Sequence, residues 1–199
     1  MRLDFVKFIP SSAQDFERLK NDAVIVSNSS KQTLPKTDSS NVKFYSCAIL
    51  SGPDGNDLRK ARAGSDFVAV NGTTSEICAW AANQKVDLLL QPFNSEKNLI
   101  DSQTANVLFQ NNVFVGIIFA EFLQISGFRR QMLVKNAMQC IKVLQNAGTK
   151  ILLLSGAKDS SEMRAVNDFS SFGVLLGLSQ HDSYKIIREN GKEFTGRLK

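Results

Sequence analysis

Residues 113–154 read VFVGIIFAEFLQISGFRRQMLVKNAMQCIKVLQNAGTKILLL and decide the fold. An apolar run, Val113–Phe119, precedes a long segment, Arg129–Ala147, in which apolar residues recur at helical spacing. A second apolar run, Ile151–Leu154, follows Gly148, a residue type that commonly ends helices. Two buried strands joined by an amphipathic helix are typical of a parallel sheet with right-handed crossovers, so the stretch predicts an α/β fold. The predicted buried face of the helix consists of Leu133, Ala137, Cys140, Ile141 and Leu144.

The same pattern continues along the rest of the chain. Further short apolar runs predict strands, and segments of helical spacing separate most of them. About eight parallel strands would close a barrel of the triosephosphate isomerase type, and an open doubly wound sheet is the alternative. We expect one domain spanning residues 1–199. The other predicted strands are Leu3–Ile9, Ala23–Val26, Val42–Leu50, Phe67–Val70, Val86–Leu90 and Phe172–Leu176.

Capping residues predict where three helices begin, because each pairs a side-chain acceptor with a residue three positions later. Residues 28–41, rich in Ser, Asn and Lys, predict a loop. The SGPDG sequence at 51–55 predicts a turn that leads into a short basic helix. The capping pairs are Ser11 with Gln14, Thr73 with Glu76, and Asp159 with Glu162.

Composition bounds the class of protein and its partners. With 43% hydrophobic and 22% charged residues, the chain has the composition of a globular domain. Its 24 basic residues against 19 acidic ones give a net charge of +5, which favours polyanionic partners without naming one. The longest apolar run, Val113–Ala120, is shorter than the ~20 residues of a spanning helix, so we expect a protein that is neither secreted nor membrane-spanning. Three widely spaced cysteines predict buried free thiols in a reduced compartment: Cys47, Cys78 and Cys140.

The residues that most catalytic motifs need are missing. His181 is the single histidine, which excludes histidine pairs, histidine-bearing triads and multi-histidine metal cages. The GTK sequence at 148–150 lacks the upstream glycine of a phosphate-binding loop. Some carboxylates near predicted strand ends could form a hard-metal site or an acid/base pair, but nothing in their spacing brings two together, and helix caps and salt bridges explain them better. These are Asp4, Asp66, Asp87 and Glu121.

Seven basic residues in three groups form the candidate set for binding a polyanionic partner. The first group follows the turn, and two of its arginines lie three positions apart, on one helical face that could grip a phosphate backbone. The second opens the long helix, where the helix dipole disfavours cations, so its placement favours an anionic partner. The third flanks the last strand-to-helix turn, the functional face of a barrel. Solvated surface charge is the alternative for each. The groups are Arg59, Lys60 and Arg62; Arg129 and Arg130; and Lys158 and Arg164.

The C-terminal third contains LSGA at 154–157, Met163-Arg164, Asp168 and GVLLGLS at 173–179. Upstream lie the apolar run at 113–121, FRRQ at 128–131 and the long helix. In this order and at this spacing, the residues resemble the ribonuclease P protein component 3 family. The resemblance covers the chain from Asp66 to Ser179 and is weaker in the first 60 residues.

The resemblance implies a barrel related to metal-dependent phosphoesterases of the polymerase and histidinol phosphatase type. It also implies a protein subunit of ribonuclease P, which removes the 5′ leader of precursor tRNA. The implied partners are the ribonuclease P RNA and ribonuclease P protein component 2, with precursor tRNA contacted indirectly and no membrane. No cofactor and no catalytic residue would belong to the protein, because the chemistry belongs to the RNA and its bound magnesium. The implied location is cytoplasmic, or nuclear and nucleolar in a eukaryote.

Two other functions remain open on the residues alone. DFVK at 4–7 stands where the phosphoesterases have paired histidines, which argues against a surviving metal activity. A barrel phosphoesterase with a metal held by carboxylates is nevertheless the first alternative. The second is a protein-interaction scaffold whose helices bind only component 2, with its positive charge incidental.

Overall fold

The structure, a computed structural model, describes residues 2–10, 13–28, 34 and 41–197. Within these ranges seven parallel strands follow one another across one sheet in sequence order. The strands are β1 (Leu3–Val6), β2 (Ala23–Ser27), β3 (Lys43–Leu50), β4 (Phe67–Asn71), β5 (Leu88–Leu90), β6 (Phe114–Ile118) and β7 (Ile151–Leu154). The α-helices are α1 (Gln14–Arg18), α2 (Gly55–Gly64), α3 (Ser75–Asn83), α4 (Ser102–Gln110), α5 (Phe119–Leu123), α6 (Gly127–Ala147), α7 (Val166–Leu175), α8 (Gln180–Lys185) and α9 (Gly191–Thr195). A 3₁₀ helix, Ser160–Glu162, follows β7, and a π-helix, Ile186–Asn190, links α8 to α9.

The sheet closes into a barrel between β1 and the residues after β7. Val6 forms a parallel bridge with Ala157. The Lys7 amide donates to the Ala157 carbonyl at 2.7 Å, and the Gly156 amide donates to the Phe5 carbonyl at 2.9 Å. A doubly wound sheet reverses its strand order at a switch point, whereas this order never reverses, so that alternative is wrong. The predicted barrel is confirmed.

Apolar side chains fill the barrel interior so tightly that one strand needs a glycine. A Cβ atom on Gly116 in β6 would lie 2.7 Å from a methyl carbon of Leu90. At the amino ends of the strands, Phe194 from α9 is fully buried, with its ring centroid 4.4 Å from that of Phe67 and 5.1 Å from that of Phe114. The C-terminal helix therefore plugs the amino-terminal mouth of the barrel.

Helix α6 confirms the predicted helix and its buried face. It begins two residues before the predicted start and buries all five predicted apolar residues. Gly148 ends it in the left-handed conformation, with φ of 77°. None of the described helices combines the length and apolar composition that a membrane crossing requires. The predicted buried free thiols are also confirmed: Cys47, Cys78 and Cys140.

Several local predictions are wrong. Among the described residues the sheet has seven strands rather than eight, because the predicted strand 172–176 belongs to α7 and its cap. Phe169 and Phe172 are buried three residues apart, while Val174 and Leu175 are exposed, which is a helical rather than a strand period.

The capping predictions were close but not accurate at every helix. Thr74, not Thr73, caps α3, and its hydroxyl accepts from the Ile77 amide at 3.3 Å. Asp159 caps a 3₁₀ helix rather than an α-helix. Ser11 and most of the predicted loop 28–41 lie outside the described residues.

Candidate functional site

The carboxyl-terminal mouth of the barrel contains a cavity of about 640 Å³. The carboxyl ends of parallel strands meet at this mouth, which is where barrel proteins build their sites. The Lys7 ammonium, just after β1, lies 2.9 Å from a carboxylate oxygen of Glu121 in α5. Both side chains are about one-third exposed, at 30% and 35%. Polar side chains from the ends of other strands also line the cavity, among them Ser27, Ser51, Asn71, Gln91 and Asn94.

The four carboxylates considered from sequence each have a partner of their own. Asp66 and Asp87 precede β4 and β5 and accept from backbone amides of the neighbouring strands, those of Ser46 at 2.9 Å and Val68 at 2.8 Å. Glu121 pairs with Lys7. Over the described part of the chain, no group of three His, Cys, Asp or Glu side chains could hold a metal ion.

Asp4 in β1 is fully buried and takes part in barrel closure. One of its carboxylate oxygens accepts from the Ser155 amide at 2.8 Å and the Phe5 amide at 2.7 Å. Burial raises the pKa of Asp4, while these hydrogen bonds and the charge of Arg2 act in the opposite direction. Its role is to join β1 to the end of β7 rather than to line the mouth.

Arg129 and Arg130 are the third and fourth residues of α6, near the carboxyl-terminal face. Arg130 donates through its guanidinium to the carbonyl oxygens of Ile125 at 2.5 Å and Leu123 at 3.3 Å, so it closes the turn between α5 and α6. Arg129 is exposed and makes no hydrogen bond or ion pair with a described residue. Of the two, Arg129 is the one that can reach a partner at no structural cost.

Lys158 and Arg164 lie in the segment after β7, the strand next to β6. Arg164 donates to the carbonyls of Ser161 at 3.1 Å and Met163 at 2.9 Å. Its guanidinium carbon is 5.8 Å from the ring centroid of Phe119 at the start of α5. Lys158 is exposed. Because β6 and β7 are adjacent, these residues and Arg129 share one sector of the carboxyl-terminal face.

The structure does not bring the α2 group together with the other candidates. All three of its basic residues are exposed on the outside of β3 and β4. Arg62 donates to the carbonyls of Gln84 at 2.7 Å and Lys85 at 3.2 Å, which stabilises the end of α3 at the opposite, amino-terminal face. Lys60 lies 3.8 Å from the carboxylate of Asp57, one turn earlier. Arg59 makes no such contact with a described residue.

A basic groove that sequence reasoning missed adjoins the Arg164 segment. One hollow of about 500 Å³ lies between the end of α1, the start of α7 and the C-terminal helices. A second, of about 540 Å³, shares Tyr184 and Arg188 with it, so the two hollows adjoin and are treated together as one groove. Glu189 lines it beside the cations. No local motif could have revealed this groove, because its walls come from segments more than a hundred residues apart. We define the basic groove by Arg18, Lys20, Tyr184, Lys185 and Arg188.

Residues 10–195 match the model of the family described as RNase P subunit p30. The chain belongs to this family. The match confirms the family resemblance seen in the sequence. This p30-family chain is also similar to a chain in the cryo-EM structure of archaeal ribonuclease P with mature tRNA, with 15% identity, a TM-score of 0.78, and coverage of 98% of this chain and 90% of that one.

Two further solved structures share the barrel of this p30-family protein. A prolidase complexed with N-methylphosphonate-L-proline is 11% identical, with a TM-score of 0.61 and coverage of 98% of this chain and 74% of the prolidase. An amidohydrolase is 15% identical, with a TM-score of 0.52 and coverage of 92% of this chain and 45% of the amidohydrolase. At these identities, the structural similarities establish the fold alone.

Proposed function

We propose that this p30-family chain is a non-catalytic protein subunit of ribonuclease P, which assists the catalytic RNA in removing the 5′ leader of precursor tRNA. The observation that carries the proposal is the family match across residues 10–195. The net charge of +5 is consistent with an RNA partner. A subunit of this kind acts by binding and positioning RNA, so its functional residues are those of a binding surface.

The proposed RNA surface runs from the exposed start of α6, through the segment after β7, into the basic groove. Structured RNA presents phosphates and 2′-hydroxyls that proteins recognise by shape, without reading base edges. Exposed cations such as Arg129 and Lys158 suit this partner, and Tyr184 adds an aromatic ring within the groove. Counterion release from the neutralised phosphates makes the binding weaken as salt rises.

The proposed protein partner is ribonuclease P protein component 2, and the proposed site of magnesium is the RNA. In this division of roles the carboxylates of the protein are structural, since Asp4, Asp66 and Asp87 accept from backbone amides and Glu121 pairs with Lys7. Copurification of the two proteins as a complex of defined mass tests the pairing. Two separate species at concentrations that support cleavage would reject it.

Reconstitution tests the function. The catalytic RNA is assembled with its protein partners, with and without this chain, and precursor-tRNA cleavage is measured over a magnesium series. We expect the chain to increase cleavage and to lower the magnesium concentration required. Cleavage that is independent of the chain at every magnesium concentration would reject the proposed function.

A matched pair of double variants tests the surface. Arg18→Gln with Lys185→Gln removes two charges from the basic groove, and Arg59→Gln with Lys60→Gln removes the same charge from α2. We expect the groove variant to weaken RNA binding and the α2 variant to bind almost as tightly as the unmodified protein. Equal losses in the two variants would mean that net charge alone, rather than this surface, governs binding.

A further inference from the structure

Two walls of the basic groove are joined by one buried arginine. The guanidinium of Arg2 donates to the carbonyl oxygen of Leu19, after the end of α1, and to that of Arg164, just before α7. Leu19 and Ala165, the residue after Arg164, both line the first hollow of the groove. The walls are therefore held together from beneath, so the groove is preformed and a ligand does not have to order it.

Lys20 lines the first hollow at a backbone position that favours glycine. Its φ of 57° lies in the left-handed region. The Lys20 amide donates to the Glu17 carbonyl at 2.9 Å and the Asn21 amide to the Phe16 carbonyl at 2.9 Å, the pair of bonds that ends a helix in a Schellman motif. Helix α6 ends with Gly148 in the same conformation. A lysine is less stable than a glycine here, but it places an exposed ammonium group on the groove.

The third wall, formed by α8 and the π-helix, carries further cations. Lys185 ends α8, and Arg188 lies in the π-helix, a rare conformation that is frequent at functional sites. Both residues are exposed and line the second hollow, and Arg188 also lines the first. Glu189 is the only acid among the described residues that line the two hollows, against four cations that include Arg18 and Lys20. This balance favours a polyanion.

Tyr184 stands where the two hollows adjoin. It lines both of them and is partly exposed, so part of the residue is reachable from each side. Its hydroxyl donates to the Oδ1 atom of Asn167 at 3.2 Å, which ties α8 to the start of α7 and restrains the ring. Proteins that bind unpaired nucleic acid combine cations that follow the backbone with aromatic rings on which bases stack. The groove has both features.

We propose that the basic groove binds an unpaired RNA strand that crosses Tyr184, an inference that rests on the proposed ribonuclease P function and names the form of RNA taken. A duplex keeps its base faces stacked inside the helix, so only an unpaired strand can offer one to Tyr184. Hollows of about 500 and 540 Å³ have the size of small-molecule sites, which leaves room for a nucleotide on each side of the ring. Lys20 and Lys185, one in each hollow, then pair with phosphates of the strand.

Variants of the ring test the stacked base. Tyr184→Leu removes the ring, Tyr184→Phe removes only the hydroxyl, and Phe109→Leu removes a ring that is 52% exposed on α4 and lines neither hollow. Each full-length protein is titrated with a short unpaired RNA and with the same RNA annealed to its complement. We expect Tyr184→Leu to weaken binding of the unpaired RNA about fivefold or more and to leave duplex binding unchanged. Tyr184→Phe and Phe109→Leu should stay within about twofold of the unmodified chain.

A pair of glycine variants tests the phosphate contact without damaging the fold. Lys85 ends α3 in the same Schellman motif, with φ of 54°, and is exposed but lines neither hollow. Lys20→Gly and Lys85→Gly should both raise the midpoint of thermal unfolding, because glycine adopts this conformation at lower cost. Only Lys20→Gly should weaken binding of the unpaired RNA, by about threefold or more at low salt. A loss of binding that accompanies a gain in stability cannot come from unfolding, so this pair also decides the matter if Tyr184→Leu proves unfolded.

The strand has two possible sources, the 5′ leader of precursor tRNA or an unpaired segment of the catalytic RNA. Reconstituted ribonuclease P, supplied with precursors that carry a long or a minimal leader, distinguishes them. If the leader occupies the groove, Tyr184→Leu raises KM for the long-leader precursor alone. If the catalytic RNA occupies it, Tyr184→Leu weakens assembly with that RNA and affects both precursors alike.

Three results would overturn the inference. The first is equal affinity of Tyr184→Leu and Phe109→Leu for the unpaired RNA. The second is a loss in Tyr184→Leu that is the same for the duplex as for the unpaired strand. The third is equal affinity of Lys20→Gly and Lys85→Gly. If the unmodified chain still stimulates cleavage by the catalytic RNA in any of these cases, the proposed function stands and only the single-strand site is rejected.

Discussion

Arg2 holds the backbone of Arg164 in place, although the two residues are 162 positions apart in the sequence. The guanidinium of Arg2 donates to the carbonyl oxygen of Arg164 and, through its other terminal nitrogen, to that of Leu19. Arg2 is 3% exposed, and burial lowers the pKa of its guanidinium, an effect that the charge of Asp4 opposes. A candidate RNA-binding residue is therefore positioned by an arginine that is itself hidden from RNA.

Replacing Arg2 should weaken both the fold and the RNA surface. In Arg2→Met, the carbonyl oxygens of Leu19 and Arg164 lose their donor, so we expect the free energy of unfolding to fall by about 1–3 kcal/mol. RNA affinity should also fall, because the Arg164 segment is less well held. Urea unfolding and RNA titration measure the two effects. Arg59→Met, at an exposed position, is the control and should change stability by less than about 0.5 kcal/mol; equal stability of the two variants would contradict the role of Arg2.

Arg129 and Arg62 should separate RNA binding from stability. Arg129→Ala removes an exposed cation, so we expect weaker RNA binding with little change in stability. The slope of log affinity against log salt concentration should become shallower by about 1. Arg62→Ala removes the donor to the end of α3, so we expect a loss of about 0.5–1.5 kcal/mol in stability and an unchanged salt slope. Affinity measured over a salt series, together with urea unfolding, distinguishes them. The opposite pattern would assign the RNA contact to α2.

The plug formed by α9 should contribute strongly to stability. Phe194→Ala leaves a void among the aromatic rings at the amino-terminal mouth, so we expect the free energy of unfolding to fall by about 3–5 kcal/mol. Phe128→Ala makes the same truncation at a side chain that is 73% exposed, and its effect should stay within about 0.5 kcal/mol. Similar losses in both variants would show that α9 does not fill the barrel.

Asp4 should make stability depend on pH. Since burial raises its pKa above the unfolded value of 3.8, the native state holds this proton more tightly than the unfolded state does. The contribution of Asp4 to the free energy of unfolding therefore falls as pH rises from about 4 to its raised native pKa, by at most about 1.4 kcal/mol per pH unit. Asp4→Asn cannot titrate, so the stability of the unmodified chain minus that of the variant should decrease over this range.

Asp159 provides a control with the opposite sign. Hydrogen bonds from Ser161 lower the pKa of the exposed Asp159 carboxylate, so its contribution to stability is present above the unfolded pKa and is lost as pH falls. The difference between the unmodified chain and Asp159→Asn should therefore rise with pH. Urea unfolding over a pH series measures both differences. If the stability difference between the unmodified chain and Asp4→Asn did not change with pH, the raised pKa of the buried Asp4 carboxyl would be contradicted.

The barrel and its longest helix could be predicted because their signals are local. The stripe from Leu133 to Leu144 reports a helix face directly, and Gly148 reports its end. The predicted element boundaries were less accurate, because a short apolar run fits both the two-residue period of a strand and the 3.6-residue period of a helix. The run at 172–176 resembles a strand in sequence, and only tertiary packing, such as that of Phe172 against Phe119 and Phe122, identifies it as part of a helix.

The structure brings together only some of the predicted basic residues, and their role in binding stays a prediction. Charge and spacing selected Arg129 and Arg164, which lie on one sector of the carboxyl-terminal face. The same signals also selected Arg62, whose guanidinium stabilises backbone carbonyls at the other end of the barrel. A charged residue carries the same sequence signal whether it faces a ligand or a neighbouring carbonyl, so sequence could not separate these roles.

The sequence by itself determined the α/β class, the alternation of strands and helices, the family and the lack of a histidine-based catalytic site, because these depend on composition and on neighbours along the chain. Tertiary structure alone decided the basic groove and the hidden support of Arg164 by Arg2. Each of these depends on contacts between segments that the closing of the barrel brings together. No local periodicity encodes such contacts, because the energies that select them arise only once the strands have paired and the core has excluded water.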